Sequence, residues 1–328
     1  MRSRPKSAGR DYTDEEIRSF VEGLESLPNG ELTVSLLVGC GQRAVAPLRE
    51  FLLKGKPRGV FQPRQRAVEA LGQLGSLNVL LEFLGEDRHI ENPIVRFGEQ
   101  AVQSSAAREL AQWRTEEVFQ FLVDLGHRKL LAGVVDALRE FHRPEALPLF
   151  LKALEDDVCR PSAEEGIRAV AASEKPVLLQ AAHKISLDED ETPSERQRRR
   201  SIVRILAELE LTVDEWSRLK PLLDDKDKEI AVMTGEIGLD WAPPEEQKAA
   251  AEFLIRSLKW AHWFLQIRIQ DCLIRNYPTV HELIEKQIEL RRLISRKEPL
   301  ADPILRMLER VRSTGKQSSP EETKQHGK

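Results

Sequence analysis

Seven histidines and three cysteines are the side chains here best able to hold a metal or supply a nucleophile. The histidines stand at positions 89, 127, 142, 183, 262, 281 and 326, and the only adjacent His–Glu pair is His281-Glu282. A two-metal centre needs several nitrogen and carboxylate ligands converging from different segments, and one pair does not supply them. Cys40, Cys159 and Cys272 lie far apart with no C-x-x-C spacing. An odd, sparse set of thiols suits small buried apolar residues in a reducing compartment rather than a disulfide framework. No Gly-rich phosphate loop, G-x-S-x-G or H-E-x-x-H occurs, and Gly39-Cys40-Gly41 reads as a turn. Neither a catalytic residue nor a metal or other cofactor is therefore expected.

The remaining signal is charge. Asp188-Glu189-Asp190-Glu191 precedes SERQRRRSIVR, in which Arg196, Arg200 and Arg204 are spaced i, i+4, i+8 on one helical face. Such a face either meets the acidic loop and a neighbouring helix or forms part of a ligand surface. On a larger scale, residues 213–255 hold 5 basic and 11 acidic side chains, and residues 256–316 hold 13 and 7. The opposite signs either compensate across neighbouring elements or give a binding face a dipolar potential. The whole chain carries −4, so no general attraction to nucleic acid or to an anionic membrane is expected.

These residues need elements to position them. The chain has 328 residues, with 41% hydrophobic, 32% charged and only 5% aromatic, a balance that favours a thin helical array over a large closed globule. No run reaches the ~18 apolar residues needed to span a bilayer. The N-terminus lacks an apolar signal segment, which makes a cytoplasmic protein the expectation. Thr13-x-x-Glu16, Thr212-x-x-Glu215 and Thr279-x-x-Glu282 are capping boxes that mark helix starts. The first of these helices is expected to run to about Leu27, and the last from Thr279 to Arg296.

A longer period runs through the chain. Arg64, Ala67 and Leu71 fall at i, i+3 and i+7 of one helix. The i+3/i+7 pair recurs as Ala106/Leu110, Val134/Leu138, Ala163/Ile167, Ile202/Leu206, Met233/Ile237 and Ile269/Leu273. By subtraction of these numbers, successive i+7 residues lie 28 to 39 positions apart, the range of two-helix repeats. The helix before four of them carries a proline followed by an apolar residue, at Pro47-Leu48, Pro148-Leu149, Pro176-Val177 and Pro221-Leu222, and these prolines are expected to bend it. WAHWFLQIRIQDCL, with Trp260 and Trp263, reads as a buried repeat helix.

The stretches AVAPLREFLL…RQRAVEALGQLG, EALPLFLKALEDD and EKPVLLQAA resemble HEAT repeats, most of all the short bacterial variety named for phycobilisome lyases. The resemblance covers about residues 33–276. It implies an all-α chain folded as an α-α superhelix, an armadillo- or HEAT-like solenoid of about seven helix pairs with terminal capping helices. It also implies, most often, a protein-binding or scaffold role. Three HEAT-like enzyme families offer an alternative. Deoxyhypusine hydroxylases hold iron with several His–Glu pairs. Bilin lyases need a tetrapyrrole pocket. Alkylpurine DNA glycosylases line a basic groove with tryptophan and arginine. This chain has one His–Glu pair, no further sign of a bilin pocket, and a net negative charge.

The expected organisation is a disordered tail over 1–11, a HEAT-like solenoid over 12–276, capping helices over 277–312 and a second disordered tail over 313–328. The expected function is a non-enzymatic scaffold or adaptor binding a protein or peptide of acidic character on the concave face, built from the second helices. Arg64, Arg160, Arg196, Arg200, Arg204 and Arg268 are the residues expected to meet that partner.

Overall fold

The computed structural model describes residues 12–26, 28–183, 191–295 and 302–318. Residues 1–11 and 319–328 of the expected tails, and the acidic residues 188–190, lie outside the described residues. All regular structure among the described residues is helical, and the chain divides into two compact units, Met1–Val170 and Ala171–Lys328.

The first unit holds α1 (Asp14–Gly23), α2 (Gly30–Gly39), α3 (Val45–Lys54), α4 (Gln62–Gln73), α5 (Leu77–Gly85), α6 (Pro93–Leu110), α7 (Glu116–Arg128), α8 (Ala132–Arg139), α9 (Leu147–Ala153) and α10 (Arg160–Val170). The second holds α11 (Lys175–Ala181), α12 (Pro193–Leu206), α13 (Val213–Leu219), α14 (Lys228–Trp241), α15 (Pro244–Ser257), α16 (Trp263–Arg275), α17 (Tyr277–Ser295) and α18 (Pro303–Ser318). Within each unit these form two layers, as in an α-solenoid. Helices α2, α4, α6, α8 and α10 pack each upon the next, as do α12, α14, α16 and α18. Packing of α1 on α3, α3 on α5, α7 on α9, α11 on α13 and α15 on α17 builds the other layer.

The i+3/i+7 register is the seam of the even-numbered layer. All fourteen of its residues, from Ala67 and Leu71 on α4 to Ile269 and Leu273 on α16, are at most 1% exposed. Burying an apolar side chain stabilises by roughly 1.5–3 kcal/mol, so this seam dominates the packing within each unit. Small residues let the layer close: Gly133 of α8 lies against the backbone of Ser104 in α6, with no room for a Cβ.

Position i of the same register has a separate, polar role. The Arg64 Nη2 donates to the carbonyl of Leu52 in the last turn of α3 at 2.9 Å. Arg160 Nε donates to Leu154 at the end of α9 at 2.9 Å, and Arg199 Nε to Ala182 at the end of α11 at 2.8 Å. Gln266 Nε2 donates to Leu258 at the end of α15 at 3.1 Å. The last carbonyls of a helix have no partner within it, and a donor from the following helix satisfies one of them. Four helix pairs are thus tied internally by the same repeat position.

Several helix ends differ from expectation. The capping boxes at Thr13 and Thr212 form, as does one at Thr192-x-x-Glu195 that the motif reading passed over. Thr279, by contrast, lies inside α17, which already starts at Tyr277. Helix α1 stops at Gly23 rather than near Leu27, because the Arg66 guanidinium collects the carbonyls of Leu24 and Ser26 at 2.9 and 2.8 Å. The prolines do not bend helices from within. Pro47, Pro148 and Pro176 sit in the first turns of α3, α9 and α11, and Pro221 near the start of a 3-10 turn at Lys220–Asp224. There a missing amide costs nothing. Helix α18 continues past Arg312 to Ser318, with Gly315 pressed against the ring of Tyr277, where a side chain would not fit.

Candidate partner-binding face

The six arginines singled out by the sequence divide between the two units and between two roles. Arg64, in the first unit, is buried with its guanidinium on the carboxylate of Glu99 in α6 and 5.3 Å over the ring of Phe83. It is therefore a packed tie between helices rather than an outward charge. Arg160 closes the α9–α10 turn through Leu154 and through Asp157 Oδ1 at 2.6 Å. Both occupy position i of the repeat, and that position is committed to a helix end.

The other four belong to the second unit and converge on α14. Arg200 Nη2 reaches Asp227 Oδ2 at 2.7 Å, and its Nη1 reaches Glu229 Oε2 at 3.1 Å. Arg196 Nε lies 3.8 Å from Asp227 and 3.5 Å from Glu191, and Arg204 Nη2 is 3.4 Å from Glu229. From the other side, Arg268 of α16 grips Glu236 through Nε and Nη2 at 2.8 and 2.7 Å. Asp227 is also the N-cap of α14 and accepts the amides of Glu229 and Ile230 at 3.0 and 3.1 Å. Burial pushes its carboxyl upward, but the Arg200 hydrogen bond and those amides outweigh burial and hold it below the ordinary aspartate range. At Glu236 burial wins over Arg268, and the carboxyl is raised.

The two members of these pairs are unequally covered. Side-chain exposure is 44% for Arg196 and 30% for Arg200, against 4% for their shared partner Asp227. Arg268 is 25% exposed against 6% for Glu236. The carboxylates lie underneath and the guanidinium groups outermost. A cavity of about 490 Å³ opens beside them, walled by Glu191 before α12, Arg196 and Arg200 of α12, Lys226, Asp227, Lys228 and Glu229 before and in α14, and His262 and Leu265 at the start of α16. A second, of about 390 Å³, follows along α14 between Glu236, Phe264, Ile267, Arg268, Asp271 and Arg275.

The tryptophans of WAHWFLQIRIQDCL do not lie in the core. Leu265, Ile269, Cys272 and Leu273 fill the buried stripe of α16, so Trp263, Phe264 and Ile267 fall on its outer side. Trp260 is exposed as well, with Lys228 Nζ 4.8 Å above its ring. Trp216 is the buried one, its indole N–H donating to Glu246 Oε2 at 2.7 Å.

Sequence reasoning missed Arg199, the most deeply placed of the arginines. It is 1% exposed and holds Glu191 at 2.8 Å, Asp225, and the Ala182 carbonyl. Its signal was its register, three residues before Ile202 and seven before Leu206. No group of three His, Cys, Asp or Glu side chains among the described residues is placed to share a metal ion. Burial raises the thiols of Cys159 and Cys272 to about 12, far from a reactive thiolate. None of the described helices is long and apolar enough to cross a membrane.

No family model matches the chain. No curated protein matches it either. Among solved structures it is similar to a chain in the complex of CpcE and CpcF of phycocyanin lyase from Nostoc sp. PCC7120, at 17% identity over 83% of this chain and 98% of that one, with a TM-score of 0.34.

Proposed function

We propose that the protein is a non-enzymatic, HEAT-like scaffold or adaptor that binds an acidic protein or peptide on the even-numbered helices of its second unit. The observation that carries this reading is the unequal covering of the ion pairs around α14. Asp227 and Glu236 orient Arg196, Arg200 and Arg268 from below, and these arginine side chains remain 44%, 30% and 25% exposed, accessible to a second carboxylate. The HEAT-like spacing of residues 33–276 supports a binding role, and neither metal nor cofactor is needed for it. The sparse, unpaired thiols suit a cytoplasmic setting.

The test compares the parent with the triple variant Arg196→Gln, Arg200→Gln, Arg204→Gln in binding a fluorescein-labelled glutamate oligomer at low and high ionic strength. The parent is expected to bind more tightly at low salt, and the variant to lose affinity mainly through slower association. Equal binding by both proteins at both salts would reduce these arginines to an ordinary solvated helix face.

A further inference from the structure

The start of α16 carries a cluster that its packing does not use. Trp263 is 71% exposed and Phe264 51%, their rings meeting edge to face with centroids 6.0 Å apart. Ile267, one turn on from Trp263, continues the apolar surface along the helix, and Trp260 is exposed in the turn before it. Four large apolar side chains gathered on one helix end differ from the scattered single exposures normal on a protein surface.

Resting on the function proposed above, we infer that this patch is the anchor site for a bulky apolar side chain carried by the acidic segment, so that the partner is an acidic amphipathic segment rather than a merely acidic one. The patch stands between two sets of outward cations. Arg196, Arg200 and Lys228 stand over Glu191, Asp227 and Glu229 in the first cavity, which reaches the start of α16 at His262 and Leu265 beside the patch, and Arg268 and Arg275 share the second with Phe264 and Ile267. One exposed carboxylate, Asp271, also lines the second cavity. A segment with an aromatic or aliphatic residue flanked by carboxylates matches this sequence of cation, apolar surface and cation. Aromatic anchors surrounded by polar groups are the usual centres of binding energy.

Charge also separates this occupant from two others. A nucleic-acid strand repeats its negative charge at every phosphate and needs a run of uncompensated cations. Here the guanidinium groups already stand on Asp227, Glu229 and Glu236, so the outward cations are spaced and partly compensated rather than a continuous run. A second copy packed about a two-fold axis would set the cationic rim against itself.

Two labelled oligomers test the inference on the full chain: the glutamate oligomer above, and the same oligomer carrying phenylalanine and leucine at i, i+4. The parent is expected to bind the anchored oligomer about tenfold or more tightly than the plain one. The double variant Trp263→Ala, Phe264→Ala is expected to remove that difference while keeping the parent's melting temperature, since both side chains are exposed. Equal affinity of the parent for both oligomers would overturn the anchor and leave the arginine face standing. Binding of neither would overturn the function itself. Tighter binding of an oligothymidylate than of the anchored peptide, or a dimer in sedimentation that the double variant dissolves, would reassign the patch and overturn the inference.

Discussion

Arg64 in the first unit and Arg200 in the second each bind a carboxylate of the next even-numbered helix, yet their surroundings oppose one another. Arg64 lies over the ring of Phe83 with its partner Glu99 buried as well, and a backbone carbonyl takes another of its donors. Arg200 covers its partner and keeps a solvated edge. The difference follows from one step of helical register. Arg64 stands three residues before Ala67 and seven before Leu71, and Arg199, not Arg200, has that relation to Ile202 and Leu206. One residue is 100° of helix, enough to turn a side chain from a seam to its rim. Neighbouring arginines in a single basic run thus divide into a structural one and a presented one.

The largest expected effect breaks that comparison directly. Arg199→Ala leaves Glu191 and Asp225 without their buried partner and should cost about 3–5 kcal/mol, whereas Arg200→Ala should cost about 1 kcal/mol or less. Chemical denaturation of the two variants is the measurement, and similar losses would show that register does not separate the roles. A smaller effect is expected at Gln266, the neutral one of the four position-i residues that tie a helix end. Gln266→Ala removes one hydrogen bond to the end of α15 and should cost about 0.5–1.5 kcal/mol. A loss as large as that of Arg199→Ala would mean that the carbonyl, not the charge, dominates the tie.

The smallest effect concerns pH. The carboxyl of Asp227 is depressed in the folded chain, so its stabilisation is complete above the ordinary aspartate value of about 3.9 and fades as pH falls through the lower folded value. Asp227→Asn keeps a good N-cap but does not titrate. Its melting temperature should therefore fall less than the parent's between pH 5 and 3, by roughly the contribution of one ion pair. Parallel curves would remove Asp227 from the acid sensitivity.

How far such differences were legible depended on the distance over which they are set. The seam could be read because an i+3/i+7 spacing is local, and a small or apolar residue at both positions has one packed solution. The deep tie of Arg64 could not, since Glu99 lies on another helix and nothing near Arg64 announces it. Trp260 and Trp263 were misplaced for a different reason. Their segment was judged by its apolar content, while Leu265, Ile269, Cys272 and Leu273 already completed the buried stripe. Phase, not content, decides which hydrophobic residues a helix can hide. Thr279-x-x-Glu282 misled in the same way, for the motif is equally at home inside a helix that starts earlier.

Asp227 has a consequence beyond charge. The carboxylate that accepts the first free amides of α14 also accepts Arg200 from α12. Initiation of one helix and its attachment to the previous repeat are thus assigned to the same two oxygen atoms. Unravelling of the first turn of α14 displaces the carboxylate that Arg200 of α12 holds. In the language of a one-dimensional array, part of the nearest-neighbour coupling at this boundary runs through the cap that starts α14.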